Sequence, residues 1–529
     1  MLEIFRDSPV GTVLRLLTKN RTAPYPEQLP TFELLSHMRA KEEQIPTPDS
    51  ISTNGTADAT VVVDWYSADD QDNPHNWSTL KKTWVSFLLL IYSFSAYIGS
   101  SIYTSSIPSV VQKFGVSEIA ASLGLSLYVL AYSIGPLIWT PLSEIPAVGR
   151  NPQYIITYML FVVLCVPTAL VDNFAGLLVL RFLLGLMCSP CLATAGASYA
   201  DFFGARVLPY VIALWGGGAT LGPALGPLVG GFAVQEENWR WPAWELLWLA
   251  GPTCIAMFLS LPETSTDAIL HHRAKRLRRA TGREMFKSRS EIRQAQMRPG
   301  QIAFDALIKP WEINALDPAL LFTTVYIAIT YGIYYSFFES FPIVFQGVYG
   351  FDLGELGLAF LAVLAGLLTA MVAYMAYFYF VADPRFAKME PGSITPEMRL
   401  VPGLFASFCI PVGLFLFAWT ARPSIHWLVS LLGVAISMFG IFIITQCIFI
   451  YLPFTYAQYT GSLFAANGFA RGAFASGAIL FARPMFDTLG VDGGVSLLAG
   501  LTVLCVVGIY LIYFYGATLR KKSRFAVSW

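Results

Sequence analysis

The sequence predicts an all-α membrane protein, with twelve transmembrane helices in two six-helix bundles. Three observations predict it. Charge is scarce: Asp, Glu, Lys and Arg make up 13% of the 529 residues and hydrophobic residues 55%, where a soluble globular chain is about 25% charged. Uncharged runs recur at the length a bilayer demands, about 20 mainly apolar residues per helix. A long basic loop, 262–317, parts these runs into six and six. So little charge cannot coat a set of soluble domains, and 34 basic against 34 acidic residues leave no basic excess for nucleic acid. Membrane strands would show roughly ten-residue segments of alternating polarity. These runs are continuous and rich in Leu, Ala, Gly and Phe, and without a closed barrel only helices satisfy the backbone in lipid.

Taken in order, the residues between Lys82 and Lys113 carry no charge, and neither do 119–143, 151–171, 182–200 and 207–235. Residues 242–261 are apolar apart from Glu245. In the second half 318–338, 356–382, 400–421 and 493–519 are uncharged. The run 423–470 is too long for one helix and is divided at Pro453 and the polar turn Gln458 to Ser462. The spans are therefore expected near 84–107, 119–141, 153–171, 175–198, 208–233, 242–261, 318–342, 355–381, 400–420, 427–452, 462–483 and 493–516. The domains follow: an N-terminal tail (1–82), a first bundle (83–261), the basic loop (262–317), a second bundle (318–516) and a basic tail (517–529). The first tail is acidic and, after residue 40, rich in Pro, Ser, Thr and Asp, which reads as disorder.

Of the 34 basic residues, 28 fall on the side that holds both termini. Lys113, Arg240, Arg422 and Arg483 fall on the other, and Arg181 and Arg471 lie within spans. Lys and Arg mark cytoplasmic loops, so both termini are expected in the cytoplasm. The first 60 residues hold no apolar core for a cleavable signal. All seven cysteines fall inside expected helices. Cys188-Ser-Pro-Cys191 has metal-like spacing but no His partner, and reads as packing. No metal or organic cofactor is expected.

Three motifs carry chemistry. Gly135-Pro-Leu-Ile-Trp-Thr-Pro141-Leu-Ser143-Glu144-Ile-Pro-Ala-Val-Gly149-Arg150 joins spans two and three. Gly135 permits close helix approach, and Glu144 with Arg150 puts an acid and a base on a short turn, able to latch one bundle to the other. Arg181 in span four is costly in lipid and must face a polar cavity or a partner. Gly222-Pro-Ala-Leu-Gly226-Pro227-Leu-Val-Gly230-Gly231 in span five spaces glycines to make a groove for a neighbouring helix, and Pro227 bends the span.

The first motif resembles the signature loop of major facilitator proteins, with Ser143-Glu144 standing where many members have an Asp. The third resembles the antiporter motif of proton-driven drug exporters. Phe5-Arg6-Asp7-Ser8, Asn73-Pro-His-Asn76-Trp77, the segment Ala193 to Asp201, Trp239-Arg240-Trp241 and Leu261-Pro-Glu263-Thr264 are similar to those of fungal twelve-span multidrug:proton antiporters of the benomyl, methotrexate and fluconazole resistance type. The resemblance runs from residue 5 to near the end, though loop 382–399 has no clear copy of the first-half loop. It implies the major facilitator fold and export of hydrophobic or weakly cationic drugs and toxins across the plasma membrane. The proton gradient is the implied energy source, and the chain is expected to work as a monomer in the bilayer, with no nucleic-acid partner. Arg181 would then assist proton transfer. A dedicated exporter of one fungal metabolite or toxin is the rival, and a non-transporting receptor of the same fold a second one.

Proton coupling needs a titrating group, and span one holds no acid. Asp201, Glu245 and Glu339 are the candidates. Asp201 ends span four, either as part of a conformational latch with Arg206 nearby or as a surface charge. Glu245 follows three tryptophans and reads as an interfacial anchor. Tyr331, Tyr335 and Glu339 recur at four-residue spacing on one face of span seven, with Phe338 beside them. Such a wall with one carboxylate suits flat, weakly cationic compounds, although ordinary packing produces the same stripe. Asn467 and Arg471 share a face of span eleven, and Gln446 lies mid-span in ten. Each lines a cavity or hydrogen-bonds between helices. Nothing fits ATP or a dinucleotide: G-x-x-x-x-G-K-[ST], G-x-G-x-x-G after a strand and H-E-x-x-H are all missing, so an enzyme is not expected.

Overall fold

Each uncharged run forms a helix. A computed structural model describes residues 2–19, 21–29, 60–204, 206–295, 308–390, 395–456 and 460–523. Spans one to six are Thr79–Ser101, Glu118–Ser143, Asn151–Leu170, Phe174–Phe202, Leu208–Glu236 and Trp241–Ser260. Spans seven to ten are Pro318–Phe341, Leu353–Phe386, Val401–Thr420 and Trp427–Thr455. Eleven helices among the described residues are long and apolar enough to cross a membrane. The last, Thr460–Lys522, is two spans: Gly490 sits at φ 75° and ψ 163°, a conformation closed to residues with a Cβ, and breaks it. That makes twelve.

Large apolar side chains such as Val163, Trp248, Ile255, Phe405, Val412 and Leu504 are exposed on the outer helix faces. Soluble proteins do not display so broad an apolar surface; lipid covers it here. Two spans are broken where the sequence breaks the hydrogen-bond ladder. Span one passes into a tighter turn over Ile102–Ser106 and resumes as Ile107–Phe114. Span four stops at Cys188 and restarts at Cys191, because Pro190 has no N–H to donate.

The expectation of a disordered N-terminal tail fails for its described residues. Ser8 caps a helix over Pro9–Leu17, and Val61–Val63 pairs in parallel with Phe286–Ser288 of the central loop. Between them, the buried Arg273 of the helix Thr266–Thr281 binds Asp70 and Asp72 at 2.7 Å each and Glu27 at 3.3 Å. Arg6 binds Asp72 at 2.6 Å, and Arg276 binds Glu27 at 3.2 Å. The tail's acids are the complement of the loop's bases, so a composition that looks unstructured alone folds against its partner. The Pro- and Ser-rich stretch 30–59 lies outside the described residues.

Candidate functional site

The bundles enclose a central cavity of about 320 Å³. It runs from Tyr132, Trp215 and Arg471 at mid-span to Glu144, Arg150 and Asp201 at the ends of spans two to four, and so opens toward the side holding the termini. A smaller chamber of about 50 Å³ continues from it past Trp215, Phe449 and Arg471, and is lined by Tyr331 and Gln446. Drug-sized ligands occupy pockets of this order, mostly apolar with a few placed polar groups. Arg471 stands at the junction. Its Nη2 donates to the Tyr97 hydroxyl at 2.9 Å, and its guanidinium lies 5.0 Å from the Tyr331 ring and 5.6 Å from Phe449. Asn467 also lines the larger cavity and donates weakly to Thr324 Oγ1 at 3.4 Å.

The opposite side is shut by a seam of contacts between bundles. Tyr132 shares hydrogen bonds with Tyr331 (2.7 Å) and Tyr335 (3.0 Å), and Tyr335 with Ser100 (3.0 Å). Ser126 and Ser476 pair at 2.7 Å, and Arg483 meets Glu118 at 3.1 Å. Ser122 Oγ donates to Glu339 Oε1 at 3.0 Å. Within the second bundle, Phe338 of span seven stacks on Phe360 of span eight at 5.2 Å. The aromatic wall expected on span seven is therefore divided. Tyr331 reaches the cavity lining, whereas Tyr335 and Glu339 are buried in the seam, Phe338 is buried within its own bundle, and none of these three lines either chamber. On the terminal side, Tyr210 donates to Asp383 across the flank between spans five and eight.

The loop after span two closes on its own bundle. Arg150 forms an ion pair with Asp201 of span four, so Asp201 takes Arg150 rather than Arg206 as its partner. Glu144 stays exposed at the cavity mouth. The Glu263 carboxylate accepts backbone N–H bonds from Arg150 and Asn151 at 3.0–3.1 Å and caps span three. Gly149 has φ +75°, and a Cβ there would collide with Glu263. The expected latch between bundles is thus a latch within one of them. A Cβ on Gly135 would strike Ser189 of span four, which is the close approach its motif implies.

Arg181 does not face the central cavity. Its guanidinium donates to the carbonyls of Gly124 (3.0 Å), Gly99 (2.8 Å) and Ser100 (3.1 Å), and lies over the rings of Tyr128 and Tyr103. It ties spans one, two and four together near the tightened turn of span one. The glycine motif presses span five on span one: a Cβ on Gly222, Gly226 or Gly230 would sit 2.6–2.7 Å from the backbone of Ile98 or Ile102. Pro227 and Gly231 lie against span eight of the other bundle, where Leu353 O and Gly357 make the contact.

Residues 89–480 match the family pattern of the Major Facilitator Superfamily. The chain belongs to that superfamily. It is accordingly a multi-pass membrane transporter of small molecules and not an enzyme. It is 44% identical to "MFS-type transporter pyvG" of Aspergillus violaceofuscus, over 99% of this chain and all of that protein. It is 38% identical to "Fluconazole resistance protein 1" of Saccharomyces cerevisiae, over 88% of this chain and 84% of that one. Among solved structures, the proton:xylose symporter XylE superposes with a TM-score of 0.60 at 11% identity, covering 83% of this chain and 96% of that one. That likeness shows the fold.

Sequence reasoning missed several lining residues of this facilitator. Trp215 is fixed by its Nε1 donating to Ser93 Oγ at 2.8 Å; its place directly before Gly216-Gly217-Gly218 was an available signal, because glycines beside a large ring open a chamber. Tyr97, Tyr132 and Phe449 carried no such mark. A single aromatic in an apolar helix looks the same whether it packs or lines a cavity.

Proposed function

We propose that this transporter exports flat, amphipathic small molecules, drugs and toxins among them, from the cytoplasm across the plasma membrane in exchange for protons. The observation that carries this reading is the aromatic central cavity, open on the side of the termini and closed on the other. The excess of Lys and Arg on that open side supports a cytoplasmic placement of the termini and of loop 262–317. The fungal relative whose name states fluconazole resistance supports drugs as cargo. That one chain lines the whole cavity supports a monomer as the working unit.

Cargo enters from the cytoplasm and packs against Trp215, Phe449 and Tyr331. Release on the far side requires the seam to part, and Glu339 lies in that seam, bridging span seven to Ser122 of span two. In this reading Glu339 takes a proton from outside when the seam opens and gives it up after the return. The exchange is then one proton in for one cargo out. Expression in a drug-sensitive yeast, with fluconazole and benomyl as cargoes, tests it. Efflux should stop when an uncoupler collapses the proton gradient, and Glu339→Gln should abolish it at normal surface expression. Efflux that survives the uncoupler would overturn proton exchange; undiminished efflux by the variant would remove Glu339 from the coupling.

A further inference from the structure

Arg471 is a cation at the inner end of the cavity, and no carboxylate is paired with it among the described residues. The acids that line the larger cavity, Glu144 and Asp201, lie at its mouth, and Asp201 is committed to Arg150. Among the described residues, Arg471 is the sole charged one lining the smaller chamber. Glu339 of span seven is turned into the seam and bound to Ser122. An unpaired guanidinium in a low-dielectric site is costly, and five N–H donors in a planar fork are built for a carboxylate. One donor is used on Tyr97; Tyr331 and Phe449 hold the plane of the group by their ring faces. Arg471 is partly exposed, which leaves donors open to the cavity. The buried Oε1 of Gln446 in the adjoining chamber has no hydrogen-bond partner.

We propose that Arg471 is the specificity-determining residue of the cavity, selecting aromatic cargo that bears a carboxylate or an equally acidic group. The acid pairs with the guanidinium fork. The ring system lies between Trp215, Phe449 and Tyr331, and a donor on the cargo reaches Gln446 Oε1. Weakly cationic compounds, which a carboxylate on an aromatic wall would have favoured, are disfavoured by the fixed positive charge. This inference rests on the export reading of the same cavity.

The test uses the full-length chain in nanodiscs and three probes of one shape: 1-naphthoate, its neutral amide 1-naphthamide, and the cation 1-naphthylmethylammonium. Binding is read by quenching of tryptophan fluorescence, since Trp215 lines both chambers. The acid should bind at least about tenfold tighter than the amide, the scale of a hydrogen bond to a charged group, and the cation weakest. Arg471→Gln should erase that preference, and Arg471→Lys should restore part of it. Equal binding of the three probes by the wild type overturns the proposal without recourse to a variant, as does a preference that persists in Arg471→Gln. Efflux of the amide by cells tests the export reading separately: an exported amide with no acid preference sinks only the role of Arg471, whereas a chain that exports none of its probes or drugs sinks export itself.

Discussion

Replacing Gly231 by Ala should bias the transporter toward the state open on the far side. The Cβ would lie 2.7 Å from the Leu353 carbonyl oxygen of span eight, about 0.7 Å inside ordinary van der Waals contact. That oxygen is backbone and cannot rotate away, so the bundles must separate there. Overpacking of this size costs about 1–3 kcal/mol. The contact crosses between bundles and belongs to the closed seam, so the cost falls on that state alone, and the equilibrium should move about 5- to 150-fold. Gly230→Ala is the control, because its Cβ would lie 2.6 Å from Ile102 O of span one in the same bundle and strains both states alike. Ser476→Cys places a thiol in the seam, where Ser476 is buried. Labelling of that thiol by a membrane-impermeant maleimide from the far side reports seam opening. The rate should rise in Gly231→Ala and not in Gly230→Ala. Equal rates in the two would refute the assignment of the two glycines to different interfaces.

Arg181→Ala should destabilise the fold rather than silence an otherwise intact transporter, since it removes three hydrogen bonds, those to the carbonyls of Gly99, Ser100 and Gly124. Each hydrogen bond from a charged donor is worth about 1.5–3 kcal/mol, so the thermal unfolding temperature of the purified variant should fall markedly, with Arg181→Lys intermediate. A wild-type melting profile with lost export would instead favour a proton-relay role. Acidification should loosen the N-terminal tail. His272 is pushed down to about 4 by burial and by the neighbouring His271 and Arg276. Asp70 is pushed up by burial but held below its ordinary value by the hydrogen bond and charge of Arg273. Asp70 of the tail and His272 of the helix Thr266–Thr281 both bind fewer protons with the tail folded than with it released. Their contribution is therefore complete above pH 6.5, the ordinary value for His, and fades as pH falls toward 4 and below. Protection of residues Val61–Trp77 from proteolysis should follow that course, and a flat profile over this range would contradict it.

The element pattern was legible because membrane spans are written locally. A run without charge must be a helix in lipid whatever surrounds it, which is why even the Gly490 break falls between the two expected spans, 462–483 and 493–516. The glycine motif was legible for a similar reason, since a spacing of four states which face comes close to a neighbour. The partners of charged groups were not legible. Asp201 sits beside Arg206 in sequence yet pairs with Arg150, 51 residues away, and Glu339 meets Ser122 at a separation of 217.

By itself, then, the sequence determined that the chain crosses a bilayer twelve times, that its basic residues gather on one side, and that span five offers a glycine groove to a neighbouring helix. Hydrophobic length and glycine spacing are properties of one segment, and a segment carries them unaided. Only the tertiary structure decided that the aromatic face of span seven is split between cavity and seam, that Arg181 serves carbonyls, and that Arg471 faces the cavity with no counter-ion among the described residues. Those outcomes depend on how two bundles, joined by a loop and free to slide or tilt, bring distant side chains into register, and no local pattern records that register.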